Sequence, residues 1–148
     1  MRKVLIAEDD LMIADMTEMI LVENGYEVCG IARTVPEAVA LGRRHKPVLA
    51  VFDQRLADGG LGTEIAGQLG ALGDLGILYA TGNAAHVMQH AVDGHACLTK
   101  PYSPADLLRS LDLVTEIVAT GRASPPFPRG FQRLPPANTP RPPEPSYG

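Results

Sequence analysis

The sequence predicts an α/β protein: a five-stranded parallel sheet of strand order 2-1-3-4-5, doubly wound with five helices. Short uninterrupted apolar runs, typical of strands buried on both faces, alternate with segments whose apolar residues recur at the helical period. The alternation occurs five times within residues 1–121, and it favours parallel strands joined by helical crossovers on both faces of the sheet. The order 2-1-3-4-5 is the common arrangement of five such units.

The strands are predicted from the apolar runs, and the third of them is the most hydrophobic. This third run ends directly in Asp53. The five predicted strands are residues 4–7, 26–32, 48–53, 75–80 and 95–99.

The helices are predicted from the helical spacing of their apolar residues and from the capping and helix-breaking residues at their ends. In the first helix, Ile13, Met16 and Ile20 share one face. Thr34 and Glu37 have the spacing of a capping box at the start of the second helix. The predicted helices are residues 11–24, 34–45, 61–72, 83–92 and 103–121.

Residues 1–121 form the predicted domain, and residues 122–148 differ from it in composition. Nine of the 13 prolines fall in the second segment, which excludes a regular helix or a central strand. We expect a tail that is extended or disordered, with polyproline II character. The tail carries a formal charge of +3 and the domain −7. A docking ligand and a flexible solubilising end both remain open as its role.

Composition argues against several classes of function. With a formal net charge of −4, the chain as a whole has no basic footprint for nucleic acid. The longest strongly apolar run, residues 48–52, is too short to span a membrane. Acidic residues follow the first apolar run at once, unlike in a signal peptide, so we expect a cytoplasmic protein. Cys29 and Cys97 fit buried thiols in a reducing compartment better than a disulfide.

Acidic residues follow two strands that are neighbours in the predicted order. The first strand ends in Glu8, Asp9 and Asp10, and the third ends in Asp53. Ligands of open parallel sheets bind at the carboxyl ends of strands, so Glu8, Asp9 and Asp53 are expected to converge there. Carboxylates packed together repel, and Mg²⁺, which prefers oxygen ligands, relieves that repulsion. Asp10 is also well placed to cap the first helix.

Two further strand ends supply groups that suit a phosphoryl ligand. Thr81 and Gly82 follow the fourth strand, where they offer a hydroxyl donor and close backbone approach. Lys100 follows the fifth strand with a positive charge. Taken alone, these are an ordinary turn and an ordinary exposed lysine. The prediction depends on four strand ends that each supply a fitting group.

Four segments of the sequence resemble the receiver domain of bacterial two-component response regulators, over residues 2–120. They are Val-Leu-Ile-Ala-Glu-Asp-Asp at 4–10, Val-Phe-Asp-Gln-Arg-Leu-Ala-Asp-Gly at 51–59, Ala-Thr-Gly at 80–82 and Thr-Lys-Pro-Tyr at 99–102. Each is weak alone, but their order and spacing together are specific. The resemblance implies the flavodoxin-like or CheY-like fold.

The resemblance also implies roles for the residues at the strand ends. Asp53 would accept a phosphoryl group from a phosphohistidine on a sensor histidine kinase or a histidine phosphotransfer protein. Asp9 would bind Mg²⁺ directly, Glu8 would do so through water, and the backbone carbonyl of Arg55 would be a further ligand. Asp53 would complete this metal site.

Thr81 and Lys100 would each contact a phosphoryl oxygen, as the resemblance implies. The Lys100-Pro101 peptide bond would be cis, which positions the lysine.

The sequence departs from the common receiver pattern at Cys97. Most receivers carry Tyr or Phe three residues before the lysine, and that ring moves inward on activation. Residues 79–82, Tyr-Ala-Thr-Gly, partly match a Phe-Ala-Thr-Gly subfamily. We therefore expect residues 81–93 to be the moving part.

The predicted function is that of a single-domain response regulator, a phosphoryl shuttle or a switch that binds a downstream protein target. It would catalyse only its own phosphorylation and dephosphorylation, and it would bind neither nucleic acid nor a membrane. A homodimer through helix four, strand five and helix five is possible for the family. The alternatives are a pseudo-receiver that binds partners without phosphorylation, a Mg²⁺-dependent phosphohydrolase and a nucleotide-binding protein. Arg55 replaces the second aspartate that such hydrolases carry, and no glycine-rich loop follows the first strand.

Overall fold

All five predicted strands form one parallel sheet in the computed structural model, which describes residues 2–70, 74–91 and 93–135. The strand order 2-1-3-4-5 confirms the predicted doubly wound arrangement. The third strand is buried along its whole length, as its uninterrupted apolar sequence predicts. The strands are β1 (Lys3–Ala7), β2 (Glu27–Ala32), β3 (Leu49–Phe52), β4 (Gly76–Thr81) and β5 (Ala96–Thr99).

Five helices join these strands, and side-chain caps fix where most of them begin. Asp10, Thr34, Asn83 and Ser103 each accept a hydrogen bond from a backbone N–H in the first turn of a helix. The predicted ends of the third and fourth helices, residues 72 and 92, lie outside the described residues. In the described part of the chain, no helix is long and apolar enough to cross a membrane. The helices are α1 (Leu11–Glu23), α2 (Val35–His45), α3 (Gly62–Leu69), α4 (Ala84–His90) and α5 (Pro104–Thr120).

Two apolar clusters cover the two faces of the sheet. One joins the sheet to α2, α3 and α4, with Phe52, Ile65 and Tyr79 fully buried in it. The other joins the sheet to α1 and α5 and includes Leu111 and Val114. Both clusters are anchored on β3, so its carboxyl end is rigidly placed.

The residues that α1 buries are not the set that the sequence places on one face, Ile13, Met16 and Ile20. The helix buries Ala14, Thr17 and Leu21 against the sheet, whereas Met16 is 59% exposed. The helix is apolar on nearly every side, so periodicity alone does not distinguish its buried stripe.

The segment 122–135 is ordered, and this corrects the prediction of a disordered tail from residue 122 onward. Residues Phe131–Arg133 form β6, which pairs antiparallel with β5 at the edge of the sheet. Residues 129–134 contain no proline, so their backbone N–H groups are free to join a ladder. Leu134 then inserts into the cluster under α4 and is only 3% exposed. Residues 136–148 lie outside the described residues.

Replacing Leu134 with alanine should lower the free energy of unfolding by about 2–4 kcal/mol, because a fully buried leucine leaves a cavity when it is truncated. Urea unfolding of Leu134→Ala measures the loss. The exposed neighbour Gln132→Ala is the matched control and should change stability by less than about 0.5 kcal/mol. Equal stability of the two variants would mean that β6 does not belong to the folded domain.

Candidate functional site

The carboxyl ends of the strands lie level with one another, and this brings the predicted site together. Ala7 of β1 is in register with Phe52 of β3. The ladder continues by one residue, since the Asp53 N–H donates to the Ala7 carbonyl at 2.8 Å and the Lys100 N–H donates to the Thr81 carbonyl at 2.9 Å. The hydrogen bonds of the sheet therefore fix the backbone from which these functional side chains project.

Glu8, Asp9 and Asp53 converge as the sequence predicts. Each offers a carboxylate oxygen, and these oxygens all lie within 4.8 Å of one another. Glu8 is 5% exposed, while Asp9 and Asp53 are partly exposed. A set of carboxylate oxygens that is partly open to solvent fits a hard divalent cation such as Mg²⁺.

Lys100 bridges two of the three acids. Its Nζ lies 2.5 Å from Glu8 Oε1 and 3.4 Å from Asp53 Oδ2. Burial alone would lower the pKa of Lys100, but the hydrogen bond to Glu8 and the charge of Asp53 outweigh burial and raise it. The lysine is therefore charged at neutral pH. The Lys100-Pro101 bond is cis, which confirms that prediction.

The site raises the pKa of Glu8 from 4.5 to about 7. Burial is the main cause, the proximity of Asp53 adds to it, and the hydrogen bond from Lys100 opposes it. Glu8 therefore exchanges a proton near neutral pH.

The residues around Asp53 orient its carboxylate and shape its loop. Asp53 Oδ1 accepts a hydrogen bond from the Gln54 N–H at 2.8 Å. Gly62 packs on the Asp53 carbonyl, where a side chain at position 62 would collide with the backbone oxygen. Thr81 is 3% exposed, and its Oγ1 accepts from the Asn83 N–H at 3.0 Å.

A cavity of about 270 Å³ opens in front of Asp53. Arg55 is exposed at its rim. The predicted role of the Arg55 backbone carbonyl as a metal ligand stays a prediction. The cavity is lined by Asp53, Gln54, Arg55, Thr81, Gly82, Asn83, His86 and Lys100.

The sequence reasoning missed two lining residues, Gln54 and His86. They hydrogen-bond each other across 32 positions of the chain, from the loop after β3 to α4. No local motif signals such a contact. The only hint in the sequence is that Gln54 directly follows Asp53.

Cys97 lies in the core and not at the surface of the site. It is fully buried beside Tyr79 of the neighbouring strand, and burial raises the pKa of its thiol to about 12. Tyr79 is also fully buried, and its hydroxyl donates to the Asp93 carbonyl at 2.6 Å. The buried aromatic ring of this region therefore comes from β4, and it contacts the loop between α4 and β5.

Fold and site together define an α/β protein with a lysine-bridged acidic site at the carboxyl ends of its strands. The family model of the response regulator receiver domain matches residues 4–112. The chain belongs to this family, whose members act in two-component systems.

Two relatives with curated descriptions match the domain but are longer. The chain is 35% identical over 116 residues to the transcriptional regulatory protein PdtaR of Mycobacterium tuberculosis, covering 76% of this chain and 56% of PdtaR. It is 31% identical over 107 residues to the phyllosphere-induced regulator PhyR of Methylorubrum extorquens, covering 71% of this chain and 40% of PhyR. The chain therefore spans about half the length of these relatives.

Solved structures agree with the fold. A CheY-like receiver domain protein of Methanospirillum hungatei is 30% identical, with a TM-score of 0.69 over 82% of this chain and 99% of that chain. The response regulator PhyR of Brucella abortus is 25% identical, with a TM-score of 0.64 over 80% of this chain and 52% of that one.

The metal-free protein should lose stability as the pH rises from about 4.5 to about 7. Glu8 has an ordinary pKa of 4.5 and a folded pKa of about 7, so the folded state holds the proton more tightly and its advantage disappears through this window. Thermal unfolding at several pH values in a chelator measures the slope.

In Glu8→Gln the decline should be smaller, because the amide does not titrate. Glu23→Gln, which changes an exposed glutamate of α1, is the control and should keep the native slope. A native slope in Glu8→Gln would show that another group is responsible.

Proposed function

We propose that this chain is a response regulator that accepts a phosphoryl group on Asp53 and signals through protein contacts. The observation that carries the proposal is the placement of Lys100 within 3.4 Å of Asp53 at an edge where Glu8 and Asp9 also converge.

The acidic cluster would hold Mg²⁺. Asp9 and Asp53 would bind the ion directly, Glu8 would bind it through water, and the Arg55 carbonyl would be a further ligand. When bound, the ion supplies positive charge that offsets the negative charge of a phosphoryl group. The donor set supports this choice, since it consists of oxygens alone.

The chain's own residues provide the nucleophile and the donors. An oxygen of the Asp53 carboxylate attacks the phosphorus of a phosphohistidine, an O–P bond forms and the P–N bond breaks, and the histidine leaves with its electron pair. Lys100 then exchanges its contact with Asp53 for one with a phosphoryl oxygen. Thr81 donates its hydroxyl to a second phosphoryl oxygen.

The partners follow from the chemistry of the donor. The phosphoryl group would come from a sensor histidine kinase or a histidine phosphotransfer protein in the cytoplasm, and the chain would catalyse only its own phosphorylation and dephosphorylation. PdtaR is described as a transcriptional regulatory protein, and PhyR of Bartonella quintana as an anti-anti-sigma factor. Both relatives are longer than the matched region, so we propose only that this domain binds a downstream protein.

Incubation with Mg²⁺ and acetyl phosphate should add one phosphoryl group, detected by intact mass. Asp53→Asn should abolish the adduct because an amide oxygen is a poor nucleophile. Asp58→Asn removes an exposed aspartate of the same loop and should leave the adduct unchanged.

Each other outcome of this experiment has a distinct meaning. No adduct in the native chain would favour the pseudo-receiver that binds without phosphorylation. An adduct that persists in Asp53→Asn would place the phosphoryl group elsewhere.

The moving part of the switch should be residues 81–91 and Asp93. Thr81, the first residue of this segment, lies in the site. At the other end of the segment, the Asp93 carbonyl accepts a hydrogen bond from the Tyr79 hydroxyl. Adding beryllofluoride, a phosphoryl mimic, with Mg²⁺ should therefore change amide hydrogen exchange in α4 and its flanking loops. Exchange in α2, which packs against β1 and β2, is the internal reference. Unchanged exchange in α4 would contradict this assignment.

A further inference from the structure

Gln54 is a buried polar residue to which the proposed chemistry assigns no role. It directly follows Asp53 in the chain, and only 2% of it is exposed. Burying a side-chain amide is costly unless its oxygen and its nitrogen both find hydrogen-bond partners. The partners of Gln54 therefore indicate which parts of the structure this residue holds together.

The Gln54 amide is held through both its oxygen and its nitrogen. Gln54 Oε1 accepts a hydrogen bond from the Thr63 backbone N–H at 3.0 Å. A backbone N–H only donates, so the atom that faces it must be the amide oxygen. Gln54 Nε2 lies 3.3 Å from the Thr63 hydroxyl and 3.1 Å from His86 Nδ1. These contacts give the side chain one defined orientation.

The hydrogen bonds of Gln54 replace a local cap at the start of α3. The other four helices begin with a capping side chain, whereas Leu61, at the N-cap position of α3, makes no such bond. The Gln54 backbone carbonyl accepts from the Gly62 N–H at 2.9 Å, and its side-chain oxygen accepts from the next N–H, that of Thr63. One residue at the far end of the loop thus satisfies two N–H groups that have no partner within the helix.

The same bonds close the loop between β3 and α3. Inside the loop, Arg55 and Leu61 form an antiparallel bridge. Gly62, the first residue of α3, lies so close to the Asp53 carbonyl that a side chain at position 62 would collide with the oxygen. The helix therefore begins directly on the backbone of the phosphoacceptor, and Gln54 ties the two together.

The position of Gln54 also determines how the Asp53 carboxylate is turned. The Gln54 N–H donates to Asp53 Oδ1 at 2.8 Å. Asp53 belongs to the acidic cluster that would hold Mg²⁺, and the carbonyl proposed as a further ligand, that of Arg55, belongs to the residue after Gln54. Neighbours that hold metal-binding groups in place contribute to metal affinity, because the groups are then ordered before the ion arrives.

We propose that Gln54 is a positioning residue for the metal site, whose side chain fixes the loop from which Asp53 and Arg55 would bind Mg²⁺. The inference deepens the proposed function and rests on it. Without the amide, the Thr63 N–H loses its partner, and the loop is no longer tied to α3 by a side chain. Binding of the ion must then also order the loop, so the affinity for Mg²⁺ falls.

The first test follows the backbone amide chemical shifts of the full chain during a titration with Mg²⁺, without any phosphoryl donor. Gln54→Met keeps a side chain of similar length but removes its hydrogen bonds. It should raise the dissociation constant for Mg²⁺ about tenfold, the lower end of the range for residues that hold metal ligands. Gln68→Met changes an exposed glutamine of α3 and should leave the constant unchanged. Equal constants in the two variants would overturn the inference.

A second variant separates the positioning of the loop from the capping of α3. Leu61→Ser places a hydroxyl at the N-cap position, where the backbone is extended and the oxygen can accept from the Thr63 N–H in place of Gln54. Added to Gln54→Met, this change should recover thermal stability but not Mg²⁺ affinity, because a local cap does not tie α3 to the loop of Asp53. Native affinity in the double variant would show that Gln54 is only a cap, and the inference would be wrong. The double variant carries this comparison even where Gln54→Met alone does not fold.

Phosphorylation by acetyl phosphate separates this inference from the proposed function. In Gln54→Met, the Mg²⁺ concentration that gives half of the maximal rate should rise by the same factor, while the rate at saturating Mg²⁺ stays near the native value. A native chain that neither binds Mg²⁺ nor becomes phosphorylated would overturn both the proposed function and the role of Gln54. Normal binding and phosphorylation of the native chain, with an unshifted Mg²⁺ dependence in Gln54→Met, would overturn the role of Gln54 alone.

Discussion

Mutual repulsion among Glu8, Asp9 and Asp53 is the constraint around which the site is arranged. The sheet forces these acids together because β1 and β3 are neighbours and end level with each other. Lys100 offsets part of the repulsion from the far side of β4, and the protonation of Glu8 near neutral pH offsets more. The arrangement of the three acids therefore depends on the positive charge of Lys100 and on the protonation of Glu8.

The fold and the acidic site were predictable because they depend on local patterns. Apolar runs identify strands, and caps such as Thr34 and Ser103 identify helix starts. Parallel strands place the residues at their carboxyl ends along one edge of the sheet. The position of Asp53 and Lys100 at this edge could therefore be predicted from the strands alone. The family resemblance then assigned roles that the residue types alone left open.

The features that sequence reasoning missed depend on contacts between distant segments. Gln54 and His86 meet only after α4 packs against the sheet, and neither residue type is distinctive alone. The sequence does not show which side of α1 is buried, because the helix is apolar on most sides and tertiary packing decides which side faces the sheet. Strand β6 was missed because the proline content of the whole segment masked a proline-free stretch that includes Phe131 and Leu134.

Strand β6 also changes what the edge of the sheet can do. In a five-stranded sheet β5 would present unpaired backbone groups, which are a template for another strand. β6 covers that edge with three residues. Pro128 and Pro135 lie on either side of β6, and neither has the backbone N–H group that pairing with a further strand would need. The Arg109 guanidinium donates hydrogen bonds to the carbonyls of Ser124 and Pro126, which lie in the segment that leads to β6. A partner that approaches between α4 and α5 therefore meets the outer side of β6 and not β5, so pairing with β5 requires that β6 leave first.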